Sequence, residues 1–114
     1  MSRQMRQFMP TLRRIVRMRD NERRAYLKVC DKRIIECFSE CARNILQNNV
    51  PLNPTQFDRL KRQKNKVRAL AKKKTTLKEK RRIVRQRGGF LSTLILPAIT
   101  ALGSILAGHV FGRS

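Results

Sequence analysis

Fifteen Lys and Arg crowd the 29 positions from 59 to 87, and only Glu79 opposes them. They are Arg59, Lys61, Arg62, Lys64, Lys66, Arg68, Lys72, Lys73, Lys74, Lys78, Lys80, Arg81, Arg82, Arg85 and Arg87. A solvated protein surface normally intersperses both signs of charge. A run this one-sided resists folding until its self-repulsion is relieved, and phosphate relieves it best. A mixture of Lys and Arg suits contacts along a sugar–phosphate backbone, which fix position without reading sequence. The whole chain carries a net charge of +21 over 114 residues, so its partner is expected to be a polyanion. We assign the fifteen cations to sequence-tolerant binding of nucleic acid, driven by counterion release. Anionic membrane lipid is the competing polyanion, and the charge alone does not choose between DNA and RNA.

Other chemistry finds little support. Trp is absent, and Tyr and His each occur once. That composition disfavours base-stacking RNA modules and histidine-built metal sites. Five Gly, all between positions 88 and 112, make no phosphate-cradling loop. Cys30, Cys37 and Cys41 are odd in number and lack a suitably spaced His, so they suggest neither a disulfide framework nor a zinc site. They are expected to be reduced thiols used as small hydrophobes. The chain is read as non-enzymatic, with no cofactor.

Four segments must position these groups. Residues 1–19 contain no acid and space Met5, Phe8, Met9, Leu12, Ile15 and Val16 three and four apart. This predicts a basic amphipathic helical arm, started or kinked by Pro10. Such an arm orders against a partner or, being Arg-rich and acid-poor, directs mitochondrial import. Residues 20–58 form the helical body. Asp20 is the expected N-cap of one helix, and Asp31 either caps a second or lies inside one long helix. Ile34, Ile35, Phe38, Cys41, Ala42, Ile45 and Leu46 give the strongest helical stripe in the chain. Asn48 and Asn49 favour a helix end, and Asn53 with Pro54 opens the next helix. Residues 59–87 continue it, with Phe57, Leu60, Val67, Leu70 and Ala71 on the core face. Thr76 and Glu79 then suggest a capping box for a last basic helix bearing Leu77, Ile83 and Val84. The fold class is all-α, a small basic helical hairpin or bundle.

Residues 88–114 differ in kind. No Asp, Glu, Lys or Arg occurs from Gly88 to Gly112. Residues 90–111, as a helix of ~33 Å, would cover the ~30 Å hydrocarbon core of a bilayer. Thr100, Ser104 and Gly108 make a small-residue ridge, and Pro97 kinks or divides the helix. The segment is either a membrane-inserting helix or an apolar element buried against protein.

The junction Arg85-Gln86-Arg87-Gly88-Gly89-Phe90-Leu91, followed by LILPAITALGSILAG, resembles the precursor of the adenovirus core protein mu family. The stretch NNVPLNPTQFDRLKRQKNKVRALAKKKTTLKEKRRIVRQRGGF is similar to basic proteins of adintovirus or Maverick-type elements. Together the resemblances cover roughly residues 26–111. They imply a virion core protein that condenses packaged DNA in the virion and host nucleus, with capsid proteins and further copies of itself as partners. They also imply cleavage by a viral cysteine protease at Gly88, Gly89 and Phe90, with the cut before Phe90. Gln86 stands where that pattern has Met, Ile or Leu. The alternative reading is a single-pass, tail-anchored membrane protein with a basic cytosolic domain that binds anionic lipid or RNA.

Overall fold

The computed structural model describes residues 2–86 and 90–97, and all of its regular structure there is helical. Six helices run in the order α1 (Arg3–Arg17), α2 (Asp20–Val29), α3 (Lys32–Leu46), α4 (Pro54–Arg62), α5 (Lys64–Ala71) and α6 (Leu77–Val84). A seventh, α7, is helical over residues 90–97. The all-α class read from the periodicities is the class observed.

The helix starts follow local chemistry. Ser2 caps α1, its hydroxyl accepting from the Met5 N–H at 3.1 Å. The α1 helix passes through Pro10 without ending there. Proline removes the bond to the carbonyl four residues earlier. That carbonyl belongs to exposed Arg6, and Pro10 is exposed too, so water can take the lost partner's place. Asp20 is not the N-cap of α2. Arg19 holds that position without a side-chain bond, and Asp20 sits in the first turn with Glu22. The carboxylates there still complement the positive helix end. Asp31 does divide the chain: its Oδ1 accepts from the Arg33 N–H at 2.9 Å, and α3 begins afresh. The Arg33 guanidinium also binds the Asp31 carboxylate, and both contacts hold its pKa down at about 2.

Helix α3 ends where the paired Asn predicted. Asn48 takes a left-handed φ of 59°. The Asn49 N–H reaches the Asn44 carbonyl at 2.9 Å, and the Asn48 N–H reaches Ile45 at 3.1 Å. These two bonds are a Schellman end. Asn53 and Gln56 form a complete capping box at 2.8 and 3.0 Å, with Pro54 leading α4. Thr76 caps α6 through the Glu79 N–H at 3.1 Å, but the Glu79 carboxylate turns to Arg82. The expected second box is therefore half closed.

One core joins these elements, with α3 at its centre. Eight of the fifteen α3 residues are buried, among them Ile35, Phe38 and Cys41. Helices α1, α5 and α6 all pack on α3, and α2 packs on α6. Helix α1 contributes Met5, Met9, Leu12 and Ile15, with Phe8 and Val16 partly buried beside them. The stripe read from the sequence is thus the face that docks inside the same chain. From α7, Phe90, Leu91, Leu94 and Ile95 enter the same core. Their i, i+1, i+4, i+5 spacing puts them on one helical face.

Two expectations fail in the basic region. The expected single helix opens at Pro54, carries Phe57 to Ala71 on one face and ends at Lys72-Lys73-Lys74. Instead the chain breaks at Gln63 (φ −106°, ψ 20°), separating α4 from α5. The break shifts the register of α4, so Leu60 reaches the core while Phe57 is left 54% exposed. Phe57 lines a groove of about 220 Å³ with Leu46 and Leu52.

Candidate nucleic-acid interface

The fifteen expected cations divide into three groups by what surrounds them. Arg59, Lys61, Arg62, Lys64 and Arg68 are exposed on α4 and α5, while Leu60, Val67 and Leu70 hold the opposite face in the core. Lys72, Lys73 and Lys74 follow in the exposed loop, and Lys78 is exposed on α6. Among the described residues, none of these nine stands in an ion pair. Their charge is directed to solvent. This is the candidate interface, and the Gln63 break turns it from a straight rod into an angled surface.

The second group is occupied within the fold. Arg81 reaches back to the end of α2, donating from Nη1 to the Leu27 carbonyl at 2.9 Å and from Nη2 to the Cys30 carbonyl at 2.7 Å. Arg85 donates from Nε to the Arg24 carbonyl at 3.0 Å. The last carbonyls of a helix lack partners within it and carry its negative end. Arg81 therefore acts as a C-terminal clamp on α2, while Arg85 adds a bond to a carbonyl in the middle of the same helix. Arg82 is paired with Glu79, the Nε–Oε2 distance being 2.9 Å. Lys66 is half-buried with its Nζ 5.7 Å from the centre of the Phe90 ring, a cation–π distance. Lys80 is half-buried, and burial reinforced by nearby Arg43 lowers its pKa. Arg87 alone makes the third group, and with Gly88 and Gly89 of the expected cleavage junction it lies outside the described residues. Phe90, on the expected cleavage junction, is buried.

The cysteines behave as the small hydrophobes expected of them. All three are free and buried. Burial pushes Cys41 up to about 12 and Cys37 up to about 11, so both remain thiols at neutral pH. Cys30 is raised as well, chiefly by burial, with the Arg81 guanidinium 3.6 Å from its sulfur pulling the other way.

The structure adds cations that the basic-segment reading passed over. Arg3, Arg6, Arg13, Arg14 and Arg17 are all exposed along α1. Their signal was present in the acid-free first nineteen residues, but the arm was read as partner-seeking through its apolar stripe. The expected membrane-inserting helix over residues 90–111 is described only to residue 97, and one face of that part, Phe90, Leu91, Leu94 and Ile95, is buried in the core while Leu96 is exposed. Residues 98–111 lie outside the described residues. Among the described residues, no helix is long and apolar enough to cross a membrane.

No protein-family model, curated protein or solved structure matches the chain.

Proposed function

We propose that this chain is a non-enzymatic, sequence-tolerant DNA-binding protein that condenses duplex DNA, in the manner of a virion core protein of an adenovirus-like double-stranded DNA virus or element. The observation that carries the reading is the exposed α4–α5 surface. Its exposed cations, among the described residues, have no carboxylate at ion-pair distance, while the apolar face of the same helices holds the core. Phosphate is the counter-charge this surface lacks. No base-reading geometry accompanies it, so binding is expected to follow charge density rather than sequence. The buried start of the apolar segment favours this reading over the tail-anchored one. A bilayer span from residue 90 would have to withdraw Phe90, Leu91, Leu94 and Ile95 from the core. Proteolysis before Phe90, if the chain is a precursor, would sever α7 from the body it helps to pack.

The test uses the full chain, because α1 and α7 both supply core residues. Its affinity for random-sequence duplexes is measured by fluorescence anisotropy across a salt series. With about ten phosphates neutralised, log K should fall against log salt with a slope near −9, at ~0.9 per phosphate. Replacing Lys72, Lys73 and Lys74 by Gln should weaken binding equally on all sequences. A slope shallower than about −3, or strong preference for one sequence, would overturn the reading.

A further inference from the structure

The α1 helix carries a second charged surface that the basic segment does not reach. Arg3, Arg6, Arg13, Arg14 and Arg17 fall within one third of the helix circumference at ~100° per residue, interleaved with exposed Gln7 and Pro10. The opposite face, Met5, Met9, Leu12 and Ile15, is buried. That burial matters for the choice of partner. A basic amphipathic helix binds a membrane by sinking its apolar face into the lipid boundary. Here that face is already packed inside the protein, and only the guanidinium row is on offer. Arginine's planar fork suits phosphate oxygens in particular. From Arg3 to Arg17 the row covers ~21 Å, a length over which a DNA duplex presents roughly twelve phosphates at one per ~1.7 Å.

The position of this row relative to α4 and α5 follows from α3. Cys37 of α3 meets α1, its sulfur 3.9 Å from the Gln4 carbonyl. Leu46 lines the groove that Phe57, Leu60 and Val67 of α4 and α5 close. Leu46 and Ile45, which line that groove together, lie two and a quarter to two and a half turns beyond Cys37, roughly 80° to 180° around the helix. Helices α1 and α5 therefore meet α3 on different faces. The seam between them is of mixed charge, with Glu36 and Glu40 sharing one cavity of about 410 Å³ with Arg43, Lys73 and Lys80. Gln4 binds Glu36 at 3.2 Å, and the Ser2 backbone N–H binds Glu40 at 3.1 Å. The body is 28 × 27 Å across its shorter axes. That exceeds the ~10 Å screening length at 0.1 M salt, so phosphates on one flank repel phosphates on the other only weakly.

We infer that the α1 arginine row is a second duplex-binding site, and that a single chain bridges two DNA duplexes between α1 and the α4–α5 surface. This inference rests on the DNA-binding reading above and supplies its condensing step.

Bridging is measured with the full chain and two pools of short duplexes, one labelled with an energy-transfer donor and one with an acceptor. Two variants, checked for unchanged helicity, each lose one surface. One carries Arg3→Gln, Arg6→Gln, Arg13→Gln and Arg17→Gln; the other carries Arg59→Gln, Arg62→Gln, Lys64→Gln and Arg68→Gln. Gln and Arg have similar helix propensity, and all eight positions are exposed. The wild type should produce transfer between pools. Each variant should still bind one duplex by anisotropy but produce no transfer. Transfer that survives in either variant would overturn the inference, because bridging would then come from one surface or from paired chains. A wild type that binds duplexes without transfer overturns it equally while sparing the DNA-binding reading. Failure to bind duplexes, with binding to phosphatidylserine vesicles instead, would overturn both.

Discussion

Helices α5 and α6 have eight residues each and are basic in sequence, yet they use their cations in opposite ways. On α5, Lys64 and Arg68 face solvent, and only Lys66 turns inward to a ring. On α6, Lys78 in the first turn stays exposed, but Arg81 is bound to two carbonyls, Arg82 to Glu79, and Lys80 is half-buried. The cause is what lies alongside. The α6 helix runs past the end of α2, whose last carbonyls need donors, and a guanidinium supplies two at once. The outer face of α5 meets no such helix end. Charge density in a sequence therefore measures polyanion affinity only after internal consumers of charge are subtracted. Arg81, Arg82 and Arg85 belong to the scaffold that presents the others.

The most damaging way to break this comparison is to remove what both helices rest on. Leu94 of α7 is fully buried in the core shared by α3, α5 and α6. Leu94→Ala should cost ~2–5 kcal/mol of unfolding free energy, the range for a buried leucine that leaves a cavity. Urea unfolding followed by helical circular dichroism reads it directly. A cost below about 0.5 kcal/mol, typical of surface positions, would mean that α7 does not pack on the body.

Arg81 comes next. Arg81→Met keeps the apolar stem and removes the charge. Two carbonyls at the end of α2 then lose a charged donor, and bonds to charged groups are worth ~1.5–3 kcal/mol each in favourable cases. Partial exposure lets water recover some of this, so a loss of ~2 kcal/mol in the same unfolding measurement is expected. The salt slope of DNA binding should stay as in the wild type. A slope lowered by ~0.9 with stability intact would return Arg81 to the interface and dissolve the contrast between the helices.

Much of the fold could be read from residue types at element ends, because those signals act over three or four residues. Asp31, Asn48, Asn53 and Thr76 each stand where the chain starts or stops a helix. The Gln63 break carried no such signal: neither Gly nor Pro marks it, and it accompanies burial of Leu60 and Val67 on its two sides. The apolar stripe of residues 1–19 was legible as a stripe, but its partner was not. Whether such a face meets α3 or another surface depends on contacts more than thirty residues apart, such as Gln4 with Glu36. The candidate interface was legible in composition and illegible in detail for the same reason. Arg81 and Arg62 look alike in sequence, and only the position of α2 separates them.

The smallest expected effect is the one that sharpens the comparison most. Arg62 is the exposed counterpart of Arg81, at the end of α4 and outside any ion pair among the described residues. Arg62→Gln should leave stability within about 0.5 kcal/mol, since no buried contact or cap depends on it. A small decrease within that band is reasonable, because a cation in the last turn favours the negative helix end by ~0.3–1 kcal/mol at low salt. Its effect on binding is of a different kind. One phosphate contact fewer should make the salt slope shallower by ~0.9, equally for any duplex sequence. The pair of substitutions thus forms a crossed test in which Arg81 moves stability and spares the slope, while Arg62 moves the slope and spares stability. Both measurements use the same full-length chain, so a general loss of folding cannot imitate the crossed pattern. If Arg62→Gln instead weakened binding to one sequence selectively, the side chain would be reading a base edge. The α4–α5 surface would then have to be redrawn as a recognition element rather than a phosphate track.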